Sequence, residues 1–141
     1  MKKVYTTESA EETEKLGFEI GKNAVNGDVI AVTGELGTGK TALTRGIAEG
    51  MGITEDITSP TFSLMEIHEG EKTLYHFDLY RIKDDREFNN LCFEEYWENN
   101  GISVVEWAER AGSRLPERRI DITIEYISST ERRITVEHPD N

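Results

Sequence analysis

The sequence predicts an α/β fold with a mainly parallel central sheet, antiparallel hairpin strands and flanking helices. Three observations carry that expectation. Val29-Ile30-Ala31-Val32-Thr33 is a continuous apolar run, rich in β-branched residues, that leads into a glycine loop, as a strand buried on both faces does. Ile102-Ser103-Val104-Val105-Glu106 has the same character and ends on a carboxylate. Around these runs, apolar residues recur at helical spacing, so strands and helices alternate along the chain.

In chain order, Lys3 to Thr6 reads as a short edge strand. Ser9-Ala10-Glu11-Glu12 has capping-box spacing, with Ser9 as N-cap and Glu12 reaching back. Leu16, Ile20 and Ala24 then form one helical stripe, with Asn26-Gly27 as the stop. After the Val29 strand and its loop, Leu43, Ile47, Ala48 and Met51 mark a second helix, closed by Gly50 to Gly52. Thr58 to Phe62 is a loop. Phe62 to His68 and Thr73 to Asp78 read as paired strands joined through Glu69-Gly70-Glu71-Lys72. Asp85 to Trp97 is expected to be partly helical. Ile120 to Ile127 and Arg132 to Glu137 finish as strands, with Ser128-Ser129-Thr130 turning between them. No repeat or linker divides residues 1–141, which fit one domain with one core.

Charge narrows the function classes. The chain carries 28 acidic against 16 basic residues, a formal charge of −12. Strong direct binding of nucleic acid needs a basic face that displaces counterions, and Arg114, Arg118, Arg119, Arg132 and Arg133 are interspersed with acids. A role involving RNA is therefore expected to run through a protein partner. No apolar segment is long enough to span a membrane, and the N-terminal residues turn polar at once. The lone Cys92 has no disulfide partner. A cytoplasmic protein that does not meet the membrane is expected.

The chemistry centres on Gly34-Glu35-Leu36-Gly37-Thr38-Gly39-Lys40-Thr41, a full match to G-x-x-x-x-G-K-[ST]. Glycines let backbone amides point into a concavity and cradle phosphate oxygens, and the following helix adds the positive end of its dipole. Lys40 is placed to reach the β- and γ-phosphates, and the Thr41 hydroxyl to ligate Mg2+. A chance match in a chain of this length is roughly one in two hundred, and this match also lies between a predicted strand and a predicted helix. The fold expected is therefore like that of phosphate-loop NTPases. No Asn-Lys-x-Asp segment is present to read guanine, so ATP is favoured over GTP.

Other residues support this centre. Glu106 ends its strand at the edge where α/β sheets bind ligands, and a carboxylate there holds Mg2+ or orients water. Asp78 also ends a strand, as a second acid of the metal shell or as the cap of the next turn. Thr58-Ser59-Pro60-Thr61-Phe62 is either an ordinary turn or a loop ordered by the γ-phosphate. His76 alternates with apolar neighbours and reads as a partly buried strand residue. Trp107 fits a base stack, a partner contact or plain packing. No obvious cis arginine finger is identifiable, with Arg45 and Arg81 as unranked candidates.

Taken together, Gly34 to Thr41, Thr58 to Phe62, His76 to Arg81 and Val104-Val105-Glu106-Trp107 resemble the TsaE family over nearly the whole chain. The resemblance implies a small bacterial ATPase needed for threonylcarbamoyladenosine modification of tRNA. It implies ATP and Mg2+ as cofactors and TsaD and TsaB as partners, with tRNA met indirectly through their complex. Its residue roles follow. Gly37, Thr38, Gly39, Lys40, Thr41 and Ala42 would bind phosphates, while Thr41 and Glu106 would hold the metal. Lys40, Asp78, Glu106 and Thr61 would serve catalysis. The nucleoside would lie against Thr7 to Ala10, including Ser9 and Ala10, and the turn at Thr130 to Arg132. Ala42 stands where many members have a second threonine. Two rivals share the loop: a small kinase, and a module that binds nucleotide without hydrolysing it.

Overall fold

A computed structural model of the chain describes residues 2–34, 39–55, 57, 65–82, 86 and 101–139. Within them lie β1 (Lys2–Thr7), α1 (Ala10–Asn23), β2 (Val29–Gly34), α2 (Lys40–Gly50), β3 (Met65–Glu69), β4 (Thr73–Asp78), β5 (Ile102–Glu106), β6 (Ile120–Tyr126) and β7 (Arg132–Glu137). Two short 3-10 turns, Ala108–Arg110 and Gly112–Arg114, follow β5. Predicted positions 62–64 and almost all of the Asp85 to Trp97 segment lie outside the described residues.

One seven-stranded sheet has the order β1-β7-β6-β2-β5-β4-β3. The four central strands, β6, β2, β5 and β4, are parallel. Antiparallel pairs finish both edges: β3 on β4, and β7 with β1 beyond β6. The mixed sheet expected from the sequence is the one formed. Parallel alignment brings the carboxyl ends of β2, β5 and β4 to one edge, where Val32 and Asp78 both register with Glu106.

Alternation along β2 divides the core. Ile30 and Val32 face the two helices, packing with Leu43, Ile47, Ile122 and Ile134. Val29 and Ala31 face the other way, with Phe77, Leu79, Val105 and Ala108. Truncating a fully buried residue such as Ile47 to alanine removes about 2–5 kcal/mol by lost transfer energy and the cavity left behind.

The helices pack backbone to backbone. Gly17 and Gly21 of α1 face Gly46 and Gly50 of α2, and a methyl group at any of them would strike main-chain atoms of the other helix. Arg45 and Glu14 tie the same pair at 2.7 Å. The start of α1 is thereby fixed beside the start of α2.

Two local details differ from expectation. Ser9 caps α1, its Oγ accepting from the Glu12 amide at 3.1 Å, but the Glu12 carboxylate accepts from the amide of Glu8 rather than that of Ser9. The helix also stops at Asn23, before Asn26-Gly27, because Ala24 turns extended and the Asp28 carboxylate takes the Val25 amide at 2.9 Å. Among the described residues, no helix is long and apolar enough to cross a membrane.

Candidate nucleotide-binding site

β2 ends at Gly34, and α2 begins at Lys40 behind Gly39, whose φ of 103° is a left-handed conformation suited to glycine. Gly37 and Thr38 fall outside the described residues, as does Thr61. The first turn of α2 has no side-chain cap and no acidic residue, so the positive end of its dipole is left for an anion. Thr41 occupies the second position of that turn, and Ala42 the third.

Lys40 is only 6% exposed. Its ammonium donates to the Gly34 carbonyl at 2.6 Å and lies 4.2 Å from the centroid of the Trp107 ring. Burial pushes the ammonium below the ordinary lysine pKa, and the charges of Glu106, Glu109 and Asp78 oppose that shift.

Glu106 is 2% exposed at the end of β5. A carboxylate so buried is costly unless paired. His76, fully buried on β4, supplies the partner through Nε2 to Glu106 Oε2. Thr44, one turn into α2, donates its hydroxyl to the Lys40 carbonyl at 2.9 Å, and that hydroxyl lies 3.5 Å from Glu106 Oε2. His76 is therefore wholly rather than partly buried, and it belongs to the site. This pairing leaves no local signal in the sequence, because it depends on which residues of β4 and β5 stand abreast.

Asp78 stands beside Glu106 in the register of β4 and β5. It caps the next turn, Oδ1 accepting the Tyr80 amide at 3.0 Å. Burial raises its pKa above the ordinary aspartate value and Glu106 adds to the rise, while the Tyr80 amide, His76 and Lys40 work against it.

Trp107 follows Glu106 with φ 58° and ψ 42°, a left-handed conformation that is strained for a bulky residue. Its ring faces Lys40 on one side and meets Tyr80 at 5.0 Å between centroids. The Arg110 guanidinium lies 5.8 Å from it. Trp107 thus packs against the lysine of the phosphate-loop motif.

The residues expected around the nucleoside also converge. Ser9, Ala10, Gly39, Ala42, Thr130 and Arg132 line a cavity of about 280 Å³ next to the start of α2. Arg132 donates to the carbonyls of Ser128 at 2.7 Å and Glu131 at 2.9 Å, and its guanidinium lies 4.6 Å from the Tyr126 ring. A larger cavity of about 490 Å³, around Lys3, Ile20 and Arg119, is remote from the loop. Size therefore does not mark the site.

A strand, a glycine turn and an amide-bearing helix start, faced by acids at the ends of two adjacent parallel strands, define a phosphate-loop α/β protein. The chain belongs to the TsaE family: the family model described as threonylcarbamoyl adenosine biosynthesis protein TsaE matches residues 7–134. The tRNA threonylcarbamoyladenosine biosynthesis protein TsaE of Treponema pallidum is 39% identical over 128 residues, covering 91% of this chain and 95% of that protein. The protein of the same name from Bacillus subtilis is 40% identical over 132 residues, covering 93% of this chain and 82% of that one. The crystal structure of Bacillus subtilis YdiB superposes with a TM-score of 0.87 at 33% identity, covering 100% of this chain and 88% of that one.

Proposed function

We propose that this chain is the ATP-binding and ATP-hydrolysing subunit of the machinery that makes threonylcarbamoyladenosine in tRNA. The observation that carries the proposal is the placing of Lys40, at the start of α2 and against the ring of Trp107, beside the ends of β5 and β4, where Glu106 and Asp78 stand abreast. The carboxylates of Glu106 and Asp78 stand side by side at the strand ends, and the hard oxygens of Thr41 and Glu106 suit Mg2+, which takes one or two protein ligands and fills its shell with phosphates and water. When bound, the metal would neutralise charge on the β- and γ-phosphates. The chain's own residues do the rest. Lys40 exchanges the Gly34 carbonyl for phosphate oxygens, the amides at the start of α2 hold the same anion, and Glu106 and Asp78 orient the attacking water. Ser9, Ala10 and Arg132 border the nucleoside.

Turnover by the isolated chain is expected to be slow. Arg45 is engaged by Glu14 on α1, which removes one of the two candidate cis arginines. TsaD and TsaB are the proposed partners, with tRNA reached through them and the cytoplasm as the setting. The test is reconstitution: phosphate release from ATP by this chain, with and without TsaD, TsaB and tRNA. Stimulation by the full set supports the reading. A labelled phosphorylated second product would instead make the chain a kinase, and tight binding without turnover would make it a nucleotide-dependent binding module.

A further inference from the structure

Two contacts address the Glu106 carboxylate, and both fall on one oxygen. His76 Nε2 and Thr44 Oγ1 approach Oε2, while among the described residues no hydrogen bond reaches Oε1. The His76 ring is fully buried, and among the described residues its Nδ1 has no partner. Among the described residues the ring therefore has one polar engagement, Nε2 against the carboxylate, and Nδ1 is left without one. An unsatisfied buried nitrogen is a cost, and the arrangement is kept despite it. An apolar residue at that point of β4 would suit the core on that face of the sheet better, where Leu74 precedes His76 by two residues and Val104 stands abreast of it.

We propose that His76 is a positioning residue for Glu106: by holding Oε2 it fixes the carboxylate so that Oε1 turns toward the phosphate-loop crevice. The inference rests on the reading of Glu106 as a magnesium-holding acid and deepens it. Without the imidazole, the carboxylate would keep only the 3.5 Å approach of Thr44 and would rotate about its last torsion. His76 stands abreast of Val104, two residues back from the carboxyl end of β5, and acts through Glu106. Partners that orient a ligating group typically change metal affinity or activity by about 10–100-fold when removed.

The experiment measures nucleotide and metal binding separately, with ATP as the probe. Calorimetry gives the affinity for ATP without Mg2+, and a Mg2+ titration of the ATP-loaded chain gives the metal affinity. His76→Leu is expected to weaken the metal step about tenfold or more while leaving metal-free ATP binding unchanged, since loop amides and Lys40 carry the latter. His76→Gln, whose amide nitrogen reaches the place of Nε2, is expected to restore most of the loss. His76→Asn, whose shorter amide falls near Nδ1, is not. That Gln and Asn pair answers the question even where the leucine variant folds poorly. In a Glu106→Gln background the leucine substitution should add nothing, because its path has been removed. Metal affinity in His76→Leu equal to that of the parent would overturn the inference, as would an equal loss of metal-free ATP binding. Failure of the parent chain to bind Mg2+ at all would strike the reading of Glu106 instead, so the two failures are distinct.

Discussion

The Lys40 ammonium is held between the Gly34 carbonyl, at 2.6 Å, and the Trp107 ring, whose centroid is 4.2 Å away. Both contacts occupy a cation that the loop motif assigns to phosphate. Entry of a triphosphate must therefore draw Lys40 off its own loop carbonyl and change the surroundings of the indole.

That displacement is directly observable. With Trp97 replaced by phenylalanine, Trp107 is the only indole in the chain. Its emission is expected to change saturably as ATP and Mg2+ are added. Lys40→Ala should show an altered starting spectrum and no saturable change. Unchanged emission at concentrations where calorimetry shows the site filled would refute the link between the two residues.

The helix pair sets a second expectation. Gly46→Ala gains up to about 1 kcal/mol in helix propensity. Its methyl would meet the Glu14 main chain, which cannot rotate away as a side chain would. Overpacking costs about 1–3 kcal/mol where neighbours can shift, so the packing loss should prevail. Urea denaturation should show the variant less stable by about 2 kcal/mol, and a neutral or stabilising effect would show that the helices have room to part.

Asp78 gives a pH dependence whose sign follows from its raised pKa. The folded state favours its neutral form more than the unfolded state does. That stabilisation is complete below the ordinary aspartate pKa of 3.8 and is lost as pH rises through the higher folded value. At pH 7 the wild type carries a strained carboxylate, which Asp78→Asn relieves while its amide oxygen keeps the Tyr80 bond. Without nucleotide, the variant should melt a few degrees higher at pH 7, and the gap should close as pH falls toward 4. A gap that widens with acid would contradict the assignment. ATP hydrolysis by the same variant should be strongly reduced.

Arg132 holds the turn that borders the nucleoside cavity through two carbonyls and the Tyr126 ring. Arg132→Ala should weaken ATP binding about tenfold, the scale of one or two such contacts. Inorganic tripolyphosphate, which lacks the nucleoside, should bind the variant and the parent alike. Equal losses for both ligands would move Arg132 to the phosphate side.

Much of this was legible because its signals are local. The apolar run at Val29, the glycine loop, the spacing of Leu43, Ile47 and Met51, and the acids ending β4 and β5 can each be read from a short window. What escaped depends on strand register or on distant segments. His76 meets Glu106 only because β4 lies parallel beside β5, and a sequence cannot state which residues stand abreast. β1 is the edge strand that the sequence predicts, but its partner, β7, lies at the other end of the chain and could not be named from a short window. The close helix approach did leave a trace: Gly17 and Gly21, like Gly46 and Gly50, stand four apart and so share a helix face. Four-residue glycine spacing in both of two adjacent helices was the available clue.

The central claim is that the turn between β2 and α2 holds a triphosphate. The most direct measurement is calorimetric titration of the folded wild-type chain with ATP and Mg2+, alongside Lys40→Ala. One saturable site in the wild type, lost in the variant while its circular dichroism and melting stay near normal, is the expected result. Absence of heat in the wild type, with and without TsaD and TsaB, or equal binding by the variant, would contradict it.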